Sequence, residues 1–386
     1  MRIQSARTRA LIGFAALGVY WGALGAALPA VQRRSDASDA ELGAALVVLA
    51  FGALLAMRAT GVLMDRLGPT VTPYTVGAFA VAGVLPGLAT SPLQLSAAVF
   101  AVGAASGAMD VAINADAVHE ELSSGRPLLN LAHAVFSVGV VVAALGTGLL
   151  RWAGAEPPAI FALAALVVLA AALAMRVGGD RWTPVPGEHP GFFHRVPGWL
   201  LLLGGLGALA FWIENAWQSW GAVHLERTLD ARPAVSALGP ALFAAAMAAG
   251  RLGGHLVVRP GRERAVLVGA AALAGLGSTI AAVAPSVWAA LAGILVAGAG
   301  CSVCAPTILS LAGRAAEPRE RATVVGSTTT IMYLGFLVGP AVVGGMAEAT
   351  SLRLSLGGVA LLAWLLAVLF LVVRYPTPRS ARTPAG

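Results

Sequence analysis

Gly61-Val62-Leu63-Met64-Asp65-Arg66-Leu67-Gly68 joins two long apolar stretches. A degraded copy, Gly254-His255-Leu256-Val257-Val258-Arg259-Pro260-Gly261, joins two more about half the chain further on. A charged turn repeated once per half, each time between apolar runs of membrane-spanning length, predicts a duplicated membrane protein. Duplicated helical halves are the plan on which many secondary transporters build one substrate site between two moving bodies. The copies differ in one chemical respect: the carboxylate of Asp65 is replaced by Val258.

The 386-residue chain is 58% hydrophobic and 11% charged, with a mean hydropathy of +0.82. Soluble domains carry about 25% charged residues, so this surface requires lipid as its solvent. The net charge of +7 does not point to nucleic acid, because the basic residues are all Arg and are scattered over short loops. Cys301 and Cys304 have the spacing of a thiol pair, but they stand in an apolar helix, where small buried residues are common. Residues 1–10 are basic and lead into an apolar run longer than a signal peptide, with no cleavage site, which predicts a retained first span. The sequence has no nucleotide-binding loop, no G-x-S-x-G elbow and no His/Cys cluster at metal spacing. The expectation is therefore no enzyme, no cofactor and no metal; energy would come from an ion gradient or from the solute's own.

About 20 apolar residues cross a bilayer. Twelve such spans can be drawn, at approximately 9–31, 42–64, 70–90, 93–117, 128–150, 157–176, 198–223, 234–257, 264–284, 287–312, 323–346 and 352–373. The most polar connector, with Pro184, Pro186, Pro190 and Pro197, separates six spans from six. The expected fold is an all-α membrane protein of twelve transmembrane helices in two pseudo-symmetric six-helix bundles. Residues 1–176 and 198–374 form the bundles, 177–197 a linker and 375–386 a tail. With the N-terminus inside, seventeen arginines, Arg2, Arg7 and Arg9 among them, fall on the cytoplasmic side and six on the other; Arg58 and Arg251 lie within spans. The positive-inside rule then puts both termini in the cytoplasm of an inner-membrane protein.

Twelve spans in two halves, with Gly61-x-Leu63-x-Asp65-Arg66-x-Gly68 between spans 2 and 3, resemble the major facilitator superfamily over nearly the whole chain. Finer motifs are similar to its rhizopine-permease and fucose-permease-like branch: Asp110-Val111-Ala112-Ile113-Asn114, Gly125-Arg126-Pro127, His133-Ala134-Val135-Phe136-Ser137, Glu214-Asn215-Ala216 followed by Trp220, Gly250-Arg251-Leu252, and Tyr333-Leu334-Gly335-Phe336. Pro69-Thr70 replaces the usual basic pair of the loop motif. Ser219 and His255 stand where that branch usually has acids. In the superfamily the loop holds the cytoplasmic side shut in outward-facing states, which implies gating roles for Gly61, Asp65, Arg66 and Gly68, and for Arg259 in the second copy. A carboxylate favours a helix N-terminus, and partners are expected at the start of span 11, near Arg321.

An ionisable group inside a span is disfavoured by about 2.5–3.5 kcal/mol on insertion scales, so each one is a candidate site. Asp110, Asn114 and Glu121 share one face of span 4 at helical spacing. Asp110 is either a proton or substrate carboxylate, with Asn114 as its hydrogen-bonding neighbour, or a clamp between helices. Glu214 lies about 24 Å along span 7 at 1.5 Å per residue, which puts it in the outer half of the membrane. Trp217 and Gln218 share its face, and an acid beside indole rings suits a polyol or a cation; the tryptophans alone would suit an interfacial belt. His133, near the start of span 5, is a proton relay or a structural hydrogen-bonder. Arg251 pairs with an acid or caps carbonyls at the inner gate, and Arg58 either snorkels or pairs.

The expected function is secondary active transport of a small sugar- or polyol-like solute by alternating access, coupled to protons. Span 5 ends Leu145-Gly146-Thr147-Gly148 without the Pro of the superfamily's drug antiporters, which favours uptake. Two alternatives stand beside it: proton-antiport efflux of a hydrophobic metabolite or antibiotic, and a transporter-like receptor, since Ser219, His255 and Val258 replace acids. The implied partners are the solute, protons and the lipid bilayer, with no nucleic acid, for a chain acting as a monomer.

Overall fold

Serine and proline open many of the helices. Ser5, Ser38, Ser91, Ser286 and Ser351 each accept a hydrogen bond from a first-turn backbone N–H, and Ser38 with Glu41 completes a capping box. Pro92, Pro157 and Pro233 sit in first turns, where a missing N–H leaves no partner unsatisfied. The computed structural model describes residues 5–126, 128–175, 197–257, 261–317 and 320–373, with backbone alone at 255–257 and 321–322. The expected linker at 177–197, apart from Pro197, and the tail at 375–386 lie outside the described residues, as does Arg259. The helices are α1 (Ala6–Arg34), α2 (Asp39–Leu67), α3 (Val71–Gly83), α4 (Leu85–Leu88), α5 (Pro92–Ser124), α6 (Leu129–Trp152), α7 (Pro157–Ala174), α8 (Gly198–Leu229), α9 (Pro233–Ser236), α10 (Leu238–Val257), α11 (Glu263–Val283), α12 (Val287–Cys301), α13 (Cys304–Ala315), α14 (Arg321–Ala349) and α15 (Leu352–Val372).

Eleven stretches of the described residues are long and apolar enough to cross a membrane, not the expected twelve. The difference is one 50-residue stretch, Asp39–Leu88, in which α2 passes through a 3-10 turn at Gly68–Thr70 directly into α3. Gly68 makes that turn at φ 62°, in the left-handed region that glycine enters without strain. Packing shows that the chain reverses there. Gly103 lies against Leu49 and Gly107 against Ala53, and Ala112 clusters with Met64, so α2 and α5 run side by side in the same direction. Ala112 stands about 30 Å of helix beyond the start of α5 at 1.5 Å per residue, and α3 with α4 covers that return. A second departure lies in the span expected at 287–312, which is broken between α12 and α13 at Ser302 and Val303. Pro306 has no N–H to offer the Ser302 carbonyl, so the helical ladder lapses there.

Lipid gives helices no hydrophobic reason to associate, so close packing of small residues holds them together. Gly18 and Gly22 of α1 lie against the backbone of Phe136 and Val140 in α6. In the second half, Gly335 of α14 lies against the backbone of Ala208 in α8, one turn on from Gly204 against Ile331. The same partnerships recur throughout: α1–α6 with α8–α14, α2–α5 with α10–α12, and α3–α7 with α11–α15. Between the halves, α2 packs on α14 and α6 on α10.

A leucine at Gly103 would collide with the Leu49 backbone, whereas Gly77 faces open space. Overpacking is worth about 1–3 kcal/mol. Thermal unfolding of the solubilised chain should therefore fall for Gly103→Leu and stay at the wild-type value for Gly77→Leu.

Candidate functional site

Where α1, α6 and α8 end, charged side chains tie the first half to the second. Glu226 of α8 accepts from Arg151 of α6 through both carboxylate oxygens, at 2.6 and 2.9 Å, from Arg33 of α1 at 3.0 Å and from Ser236 of α9 at 2.6 Å. Arg151 also donates to the Ala26 carbonyl at 2.6 Å. Asp39, at the start of α2, pairs with Arg227 and accepts from Gln32 at 2.7 Å, while its own N–H donates to Glu348 of α14 at 3.1 Å. Arg151 and Glu226 are buried, and removing one partner of a buried pair is destabilising by about 3–5 kcal/mol. Backbone contacts reinforce the closure, with Gly43 against Pro340 and Gly148 against Ala237.

Behind this closure lies a cavity of about 370 Å³ lined by α1, α2, α5 and α6 from the first half and by α8, α10 and α14 from the second. Asp110, His133, Glu214, Gln218 and Arg251 all line it, so five residues spread over the sequence meet around one space. Arg251 is 40% exposed and approaches Glu214 at 3.8 Å, near enough for attraction but beyond hydrogen-bond distance. Gln218 donates to the same Glu214 oxygen at 2.9 Å. Across the cavity Asn114 reaches back one turn and donates to the Asp110 carboxylate at 3.1 Å and to its carbonyl at 2.8 Å. Asp110 forms no ion pair with another described residue. His133 lies edge-on to Phe14 with ring centres 4.9 Å apart. Asn215 also lines the cavity, and its buried Oδ1 has no hydrogen-bond partner among the described residues. Phe14, Phe136, Phe243 and Phe336 supply apolar walls.

Several expected placements differ. Helix α8 continues to Leu229, six residues past the expected end at 223, so Glu214 stands at mid-helix and not in the outer half. Trp217 does not line the cavity; its fully buried indole donates to Ser278 of α11 at 2.8 Å, one helix-face away from Glu214. Glu121 does not continue the Asp110 stripe, because its carboxylate takes the N–H groups of Leu128 and Leu129 and caps α6. Arg251, by contrast, does approach an acid as expected, Glu214, and does so inside the cavity. At the opposite end from Glu226, Asp65 and Arg66 are exposed, Gly68 is buried in its turn, and a side chain on Gly61 would meet nothing.

Sequence spacing missed the buried pair of Arg9 in α1 with Asp116 in α5, at 3.3 Å. It also missed the partners of Glu226 and Asp39. The arginine partners of Asp116, Glu226 and Asp39 lie 75 or more residues away in the chain, so no local spacing signals them.

The sequence profile of the Major Facilitator Superfamily matches residues 10–274 and 234–386. An uncharacterized MFS-type transporter of Yersinia pestis is 35% identical over 363 residues, 93% of each chain. The membrane protein MosC of Rhizobium meliloti is 29% identical over 339 residues, 87% of this chain and 82% of that one. Among solved structures, a point mutant of the nucleoside transporter NupG superimposes with a TM-score of 0.81 at 13% identity, covering 95% of this chain and 99% of that one. A bacterial homologue of the human lysosomal transporter Spinster, in an inward-facing conformation, does so with a TM-score of 0.69 at 15% identity over 95% of each. With this sequence match and this helical architecture, the chain belongs to the major facilitator superfamily and is a multi-pass membrane transporter, not an enzyme.

Proposed function

We propose that this chain is a proton-coupled secondary transporter of a small hydroxylated solute, sugar- or polyol-like, working by alternating access with both termini in the cytoplasm. The Asp39–Leu88 stretch counts as two crossings, which makes twelve spans in two bundles of six. The observation that carries the proposal is a single cavity with Asp110 contributed by the first half and Glu214 by the second. A solute bound between them touches both moving bodies, as alternating access requires. The conformation is closed at the Glu226 end, and Asp65 lies at the opposite end, the cytoplasmic side of this arrangement.

The two acids have different surroundings and take different roles. Glu214 is held by Gln218 and loosely by Arg251, a set of charged and amide groups that a polyol's hydroxyls can bridge, with Asn215 Oδ1 as an open acceptor. Asp110 has Asn114 as its hydrogen-bonding partner and no ion pair with another described residue, so it is the group that takes up and releases the coupling proton. Asp65 and Arg66 act on the rate of interconversion. The phenylalanine walls favour a second solute class, a metabolite with one apolar face, exported instead of imported.

Flux into proteoliposomes, with and without an imposed pH gradient, across a panel of sugars, polyols and apolar metabolites tests the assignment. Hydroxylated solutes should be accumulated when the gradient is present; accumulation of none of them, with gradient-driven movement of the apolar compounds, would establish the export reading. Asp110→Asn should retain downhill flux and lose its response to the pH gradient. Glu214→Gln should weaken solute binding by about 10- to 100-fold, the worth of a hydrogen bond to a charged group. Asp65→Asn should slow cycling and leave solute affinity within a few-fold of wild type.

A further inference from the structure

A second cavity, of about 460 Å³, lies at the Glu226 end, away from the solute site, and its walls include Arg33, Arg34, Arg151, Glu156, Gly154 and Pro233. Three guanidinium groups converge on a space of small-molecule size. Arg151 is committed to Glu226 and the Ala26 carbonyl. Arg33 gives one nitrogen to Glu226 and is 57% exposed, which leaves most of its five donors available. Arg34 makes no hydrogen bond or ion pair with any described residue, and its Nε is buried without a partner. A buried donor without a partner is unfavourable by about 1–3 kcal/mol, and the rest of the guanidinium, which also has no hydrogen bond to a described residue, lines a cavity with room for a ligand that supplies acceptors.

We propose that this cavity is an anion site for a carboxylate or a phosphate group, with Arg34 as its principal ligand and Arg33 as the second. The local charge fits a singly charged anion: three arginines against Glu156 and Glu226 leave one positive charge. Few backbone donors compete for this role. Helix α7 begins here, but Pro157 and Pro158 have no N–H, and the N–H groups of Gly154 and Ala155 are bonded to Arg151 and Leu150. Recognition therefore falls to the guanidinium groups, whose planar forks match carboxylate and phosphate oxygens.

The site is also tied to conformation. Pro233 belongs to the second half, whereas Arg33, Arg34 and Arg151 belong to the first, so the cavity is complete while this end is closed. A ligand that binds one state stabilises it, and an anion here holds the closure of the Glu226 end. That consequence rests on the alternating-access proposal; anion binding itself does not.

The test is thermal unfolding of the full chain in nanodiscs of zwitterionic lipid, titrated with inorganic phosphate at constant ionic strength. Wild type should show a saturable rise in midpoint. Arg34→Gln should lose it, Arg34→Lys should shift it to higher phosphate, and Arg126→Gln, at the opposite end, should match wild type. A parallel arm replaces part of the lipid with phosphatidylglycerol. If this lipid raises the midpoint in an Arg34-dependent manner and abolishes the phosphate response, the anion is a lipid headgroup; if phosphate still titrates, it is a soluble anion. Absence of a saturable response in both arms, or one that Arg34→Gln leaves intact, overturns the proposal. Unfolding of each variant without anion separates a lost site from a lost fold.

Discussion

Close approach of backbones at glycine is the constraint on which this structure depends. Within a bilayer, apolar side chains gain little by facing one another instead of lipid, so helices must touch over surfaces that admit dispersion contact along their length. Gly18 and Gly22 bring α1 onto α6; Gly335 brings α14 onto α8. All four of these helices line the cavity, one pair from each half, so the two pairings fix the spacing of its walls. Asp110, Glu214 and Arg251 can then face a shared space because the helices carrying them are held at fixed separations by residues with no chemistry of their own.

Much of the architecture was legible in the sequence because lipid imposes a length on each apolar run. Helix ends mostly fell close to the expected positions, marked by Ser38, Ser91, Ser286 and Ser351 as caps. What hydropathy could not show was the turn at Gly68, where helical geometry carries on through the reversal and two expected spans merge into one stretch. Nor could it show the break before Pro306, where composition stays apolar while the hydrogen-bond ladder lapses. The end of α8 lies beyond its expected position for a related reason: its last turns carry polar residues with partners inside the fold, His224 buried against the Ala281 carbonyl and Glu226 and Arg227 paired across the halves with Arg151 and Asp39.

The candidate site was legible as a set of mid-span polar groups but not as a geometry. Asp110 with Asn114, and Glu214 with Gln218, are one-turn neighbours; that spacing pointed to the first hydrogen bond and put the second pair on one face. Trp217 shares the same short window of α8, yet about 100° of rotation per residue, an interval set by 3.6 residues per turn, sends its ring to α11. Pairings between halves, such as Arg151 with Glu226, join residues with no local relation. Only the folded arrangement of helices reveals that these charges, counted in sequence as loop arginines, form a latch.

That latch is built asymmetrically. Side chains from four helices converge on two carboxylates, Glu226 and Asp39, while at the opposite end Asp65 and Arg66 are exposed and a side chain on Gly61 would meet no described residue. The absence of a Cβ contact at Gly61 means that its small size has no use in the conformation at hand. Gly18, Gly22, Gly103 and Gly335, by contrast, each have another helix's backbone where a side chain would have to go. The glycines of this fold thus divide into those whose size the packing dictates and those, like Gly61, on which it makes no demand.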